Sequence, residues 1–134
     1  MSDLDRRGRR MKLAGLIIVG LGSLFFLAMG VGEMASGDLS GFQHLPPAAL
    51  FGALVYLGRR HPYAVGIVLV IIAFGLASLY AAGPIGSDEP VGMRIAWALQ
   101  VALPPLVAGA LLIGAARREG GGPAGSTLRR HTWV

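Results

Sequence analysis

The chain has 134 residues, of which 54% are hydrophobic and only 14% charged, and its mean hydropathy is +0.62. Soluble domains carry about 25% charged residues, so this composition excludes an ordinary globular domain and points to a single-domain membrane protein. The net charge of +5 is not a nucleic-acid footprint, because the basic residues flank apolar runs and form no patch interleaved with aromatics.

With no cysteine in the chain, a disulfide framework, a thiolate metal site and a c-type haem attachment are all excluded. One Lys against eleven Arg, with abundant Gly and Ala, hints at a GC-rich bacterial genome.

Residues 1–12 form a basic leader holding Arg6, Arg7, Arg9, Arg10 and Lys12. The run from Leu13 to Gly32 is uncharged for twenty residues. At ~1.5 Å per residue it crosses the ~30 Å hydrocarbon core of a bilayer. It is also longer than the ~7–15-residue apolar region of a cleaved signal peptide. The first span is therefore expected over 13–33, with Glu33 closing it.

The second segment admits two readings. Pro46 to Gly58 gives only thirteen residues, about 20 Å of helix. Prolines are tolerated in a first turn, so they can open the helix. Extension back to Ser40 restores the length and makes them a kink. The longer span, 40–58, is slightly favoured.

The third span covers 62–83 and is rich in Val, Ile, Leu and Ala. The acidic turn GPIGSDEP follows, full of helix breakers. The fourth span covers 93–116, with Pro104 and Pro105 near its midpoint, inside a transmembrane domain of residues 13–118. Residues 119–134 read as a flexible basic tail.

Charge sets the orientation. With odd-numbered helices running outward, eleven of the twelve Lys and Arg residues lie in the cytoplasm and only Arg94 outside. The expected fold class is thus an all-α integral membrane protein: four transmembrane helices as two hairpins, N-in/C-in, in the inner (plasma) membrane. Tyr56 and Tyr63 then fall near the inner interface, and Phe42, Tyr80 and Trp97 near the outer one, as aromatic belts.

Leu45-Pro46-Pro47 precedes Arg59-Arg60 by the spacing that separates Leu103-Pro104-Pro105 from Arg117-Arg118, an offset of fifty-eight. Two hairpins of one orientation would give this, as in parallel-repeat transporters. Coincidence of two common features gives it as well.

The polar residues expected on the outer side are Glu33, His44, Arg94 and Gln100, and they form the candidate polar cluster. Intramembrane carboxylates carry protons or coordinate ions. Against that, Glu33 follows a completed span, a Gln can simply join helices, and an Arg can snorkel. Arg94 and Gln100, six residues apart and about 240° around the helix, do not share a face. His44 and His61 bracket the second helix at a separation of roughly 25 Å, too far for one haem. No catalytic, cofactor-binding or metal motif is legible.

Small-xxx-small pairs at Ala28/Gly32, Ala48/Gly52 and Ala110/Gly114 suit close helix packing. In the tail, Arg129, Arg130 and Trp133 are a candidate partner-binding set, two charges to pair with acidic groups and one apolar anchor.

The order of features resembles a family of uncharacterised four-helix membrane proteins of bacteria and archaea. The likeness is carried by Glu33 ending the first helix, His44-Leu45-x-Pro47 entering the second, and Pro62 with Gly66 opening the third. Tyr80 and Leu103-Pro104-Pro105-Leu106 complete it, over about residues 13 to 116. That resemblance implies a fold and no chemistry.

The expected partners are therefore the lipid bilayer and a membrane-protein partner or a second copy of the chain, with no nucleic acid. The first functional expectation is a non-enzymatic accessory subunit of a larger membrane complex. The alternative is a small oligomeric transporter or channel with the polar cluster at its outer mouth, self-association being required because so small a bundle encloses little volume.

Overall fold

The computed structural model describes residues 3–82 and 90–120. Four α-helices account for most of them: α1 (Asp3–Ala35), α2 (Leu45–Arg60), α3 (Pro62–Ala82) and α4 (Val91–Gly120). A short 3-10 helix, Leu39–His44, leads into α2. The acidic turn at 83–89 and the tail beyond residue 120, with Arg129, Arg130 and Trp133, lie outside the described residues.

Three of these helices are long and apolar enough to cross a membrane, over Arg6–Ala35, Pro62–Ala82 and Val91–Arg118. The first and last exceed the uncharged runs, because α1 takes in the basic leader and α4 carries Arg117 and Arg118 in its last turns. The α1 arginines at 6, 7, 9 and 10 are exposed.

The second helix differs from the favoured expectation. It starts at Leu45 with Pro46 and Pro47 in its first turn, and Ser40 belongs to the 3-10 helix ahead of it. A first-turn proline forfeits no intrahelical hydrogen bond, whereas the 40–58 alternative would break two. At 16 residues, α2 spans only ~24 Å.

Between α1 and the 3-10 helix the chain reverses at Gly37, whose φ of +87° lies where an L side chain is strained. Asp38 then caps the 3-10 helix through Ser40 N, 2.8 Å from its carboxylate.

The interior is built mostly from small residues. Buried positions include Ala73, Ala98, Ala102, Ala108 and Ala115, while Leu24, Phe25, Ile71 and Phe74 are exposed. Water would penalise that inversion. In a bilayer it is expected, since lipid is as apolar as Leu and helices associate through close backbone approach.

Among the long helices the approach is closest towards one end of the bundle, where Arg59, Arg60, Arg117, Arg118 and the α1 arginines gather, here called the basic end. Packing is most extensive between α3 and α4, then between α1 and α4 and between α1 and α2, while α2 meets α3 lightly. A Cβ added at Gly66 would lie 2.9 Å from the Gly109 carbonyl oxygen, and one at Gly109 would lie 2.7 Å from that of Gly66. On α1, a Cβ at Gly15 would lie 3.1 Å from the Ala108 carbonyl oxygen. Val19, Leu54, Val65, Leu69, Ala108 and Leu112 join all four helices just inside this end.

Of the expected small-residue pairs, Ala48/Gly52 packs α2 on α1, where the Ser23 hydroxyl donates to the Ala48 carbonyl at 2.8 Å. Gly114 lies under Met11. Ala28 and Gly32 are exposed, and a Cβ at Gly32 would meet nothing within 4 Å.

These contacts set an expected outcome for substitution. Gly66→Ala forces two backbones apart and should cost about 1–3 kcal/mol. Gly75→Ala, where a Cβ meets nothing within 4 Å, should be neutral or stabilising by up to about 1 kcal/mol. Thermal unfolding in mild detergent checks the pair, and an equal response would remove the glycine contact from the account.

Candidate intramembrane cavity and its polar neighbour

Beyond the shared core the helices separate. Gly8, Gly15 and Gly22 recur every seven residues along α1 and so keep nearly to one face. A Cβ at Gly8 would be 3.7 Å from the Arg118 Cβ, and one at Gly15 3.0 Å from Leu112. At Gly22 nothing lies within 4 Å. Over that stretch α4 carries Pro104 and Pro105 inside the helix, and interior prolines bend a helix.

The space left is a cavity of about 800 Å³ bordered by all four helices. Gly22 and Phe26 of α1 line it, with Pro46 and Pro47 of α2. Tyr80 of α3 and Gln100 of α4 are its side-chain hydrogen-bonding groups, among otherwise apolar walls. The space is open along one side and so is not enclosed by the bundle. A second, shallower hollow of about 320 Å³ lies between α3 and α4, and no polar side chain lines it.

The two prolyl pairs differ locally, since Pro46 and Pro47 open α2 while Pro104 and Pro105 interrupt α4, yet both face the same cavity. The fifty-eight-residue offset therefore corresponds to a shared wall. Its equal spacing from the two arginine pairs puts both at a similar height above the basic end.

The candidate polar cluster comes together only in part. His44 Nε2 lies 3.2 Å from Glu33 Oε2 and 3.3 Å from Glu33 Oε1, and the Ser40 hydroxyl donates to Oε2 at 3.4 Å. The close pass of the 3-10 helix over α1 brings them together. Gly30 and Gly41 face each other there, and a Cβ at Gly30 would lie 2.9 Å from the Gly41 carbonyl oxygen. His44 also stacks on Phe26, with ring centroids 6.3 Å apart, and Phe26 stacks on Phe51 at 5.9 Å. Phe26 and Phe51 line the cavity, so the Glu33–His44 pair stands one aromatic layer from it.

Arg94 is engaged elsewhere. Its guanidinium donates to the Ala81 carbonyl at 2.6 Å and the Tyr80 carbonyl at 3.5 Å. These are orphan acceptors at the end of α3, where a cation is favoured by the helix dipole. Gln100 is exposed at the cavity edge and makes no contact with Glu33 or His44. The backbone N–H of Ser40 holds the exposed Asp38 below the usual carboxylate range. The stabilisation from that cap is present above the unfolded-state pKa and is lost as pH falls through the lowered folded value.

No protein-family model matches the chain, and neither does any curated protein or solved structure.

The side chains of His44 and Glu33 are 20% and 30% exposed, and a partly wetted pair of this kind contributes about 1 kcal/mol or less. His44→Phe keeps a ring on Phe26 and should cost no more than that. His44→Ala loses the stack as well and should cost about 1 kcal/mol beyond it. Thermal unfolding of the two variants beside Glu33→Gln checks this, and equal losses for Phe and Ala would make the ion pair the dominant contact.

Proposed function

We propose that the chain is a non-enzymatic, multi-pass protein of the inner (plasma) membrane that holds a small apolar molecule between its helices, as a transporter or carrier of simple design does. The observation that carries the reading is the 800 Å³ cavity, which is closed by the glycine-packed core towards the basic end and bordered by exposed Leu21, Phe25 and Leu50 elsewhere. Ligand sites have this character, concave and apolar with a few polar groups.

Four spans and cytoplasmic termini complete the proposal. The 3-10 helix adds ~12 Å ahead of α2, giving ~36 Å together, enough for a fourth crossing. The basic end is then cytoplasmic by the positive-inside rule. Exposed Tyr56 and Tyr63 at that end, and Phe42 and Trp97 at the other, suit two interfacial belts.

The accessory-subunit reading is favoured by a separate observation, the α1 face at Ala28 and Gly32, which is exposed among the described residues. In that reading residues 119–134, with Arg129, Arg130 and Trp133, add a cytoplasmic contact, and their deletion weakens co-isolation.

Phosphatase fusions at residue 88 should be active and fluorescent-protein fusions at the C-terminus bright; the reverse pattern contradicts the topology. Native mass spectrometry from mild detergent should give this chain, alone or self-associated, with lipid-sized adducts that Gly22→Phe removes by filling the cavity. A stoichiometric foreign membrane protein, with adducts unchanged in Gly22→Phe, would favour the accessory subunit.

A further inference from the structure

Proline chemistry gives the cavity a polarity that its side chains alone do not. Pro104 and Pro105 have no backbone N–H, so the carbonyls of Gln100 and Val101, four residues earlier, lose their helical donors. All four of these residues line the cavity, so the gap in the hydrogen-bond ladder lies on the stretch of α4 that borders it. At membrane depth an unpaired carbonyl costs several kcal/mol. Neighbouring Ser or Thr hydroxyls often repair such a gap, but residues 96–108 of α4 contain neither.

We propose that the cavity receives a neutral lipid alcohol, an apolar chain ending in a hydroxyl, whose single O–H donates to the carbonyl of Gln100 or of Val101. The inference rests on the reading of the cavity as a ligand site and adds the class of ligand. The Tyr80 hydroxyl and the Gln100 amide, on the same walls, supply donors to the alcohol oxygen, so both halves of the hydroxyl are matched.

Other headgroups match less well. No charged side chain lines the cavity, so a carboxylate or phosphate would be buried there without a cation. An ester, ketone or ether accepts hydrogen bonds but offers no proton to the two carbonyls. The apolar chain lies against Phe26 and Phe51 and leaves past half-exposed Leu50 and Leu21. Water competes as a donor, and the apolar rim at Leu21, Phe25 and Leu50 disfavours its entry from the bilayer side.

The test uses the full chain in phosphatidylcholine nanodiscs with three photoreactive diazirine probes of one chain length: a fatty alcohol, its methyl ether and the matching fatty acid. Labelled sites are mapped by mass spectrometry. The alcohol should label residues 21–26, 46–51 and 100–105 about fivefold more than the ether, the worth of one hydrogen bond. Pro104→Ala with Pro105→Ala restores both N–H groups, and Ala is a better helix former, so that variant stays folded; its alcohol preference should fall to near parity. Tyr80→Phe should reduce alcohol labelling without raising that of the ether. Equal cavity labelling by alcohol and ether, or stronger labelling by the acid, overturns the ligand class while leaving the cavity a lipid site. Labelling by no probe above that of lipid-facing Ile71 and Phe74 overturns the site as well.

Discussion

Backbone contact at glycine is the constraint on which the rest of this bundle depends. Lipid offers helices no hydrophobic reason to associate, so the distance between backbones decides how much packing is gained. At the opposite end Gly41 of the 3-10 helix meets Gly30 of α1, and between the long helices the backbones come closest where Gly66 meets Gly109 and Gly15 meets Ala108, both towards the basic end. They fix α4 between α1 and α3, and every buried leucine of the shared core sits in that region. Two helix turns further along α1 the same glycine repeat continues at Gly22 with no partner within 4 Å. α1 and α4 are clamped at one end and part at the other, while α3 and α4 keep Ala73, Ala98 and Ala102 buried beyond the clamp.

The cavity and the polar groups around it follow from that divergence. Pro104 and Pro105 lie inside α4 where the clamp ends, and having no N–H they withhold the helical donors of the Gln100 and Val101 carbonyls beside the cavity. Phe26 separates the cavity from Glu33 and His44, so that polar pair is near the space without opening into it. Arg94 is bound to the carbonyls ending α3, which keeps its charge away from the apolar walls. One half of the molecule is therefore close-packed and the other half hollow, neutral and lined by acceptors.

How much of this was legible in the sequence depends on the range over which each signal acts. Helical spans are local, and the charge-free runs located α1, α3 and α4 well, though not how far the arginines at their ends continue the helix. The start of α2 was open because proline suits both a first turn and a kink, and the choice is made by Gly41 packing on Gly30. Small-residue pairs state that close approach is possible without naming a partner. Ala28/Gly32 and Ala48/Gly52 look alike in sequence, and only the second meets another helix. The Glu33–His44 contact was within reach because one short turn joins them. Arg94 was misplaced beside them because its true partners are backbone carbonyls, which no side-chain pattern announces. The repeated prolyl pairs were visible as a regularity, but their meeting on one cavity wall needed the fold.

The account predicts a tight end and an open end between α1 and α4, and a chain without cysteine allows a clean measurement. A disulfide needs Cβ atoms about 3.8 Å apart, and a Cβ at Gly8 lies 3.7 Å from that of Arg118. Gly8→Cys with Arg118→Cys should therefore oxidise to a cross-link in membranes, at a rate set by the oxidant. Gly22→Cys with Val101→Cys, one on each side of the cavity, should resist oxidation and yield only to a longer bis-maleimide reagent. Rapid disulfide formation by the second pair would mean that α1 and α4 stay in contact along their length, and the cavity on which the functional reading rests would not exist in the bilayer.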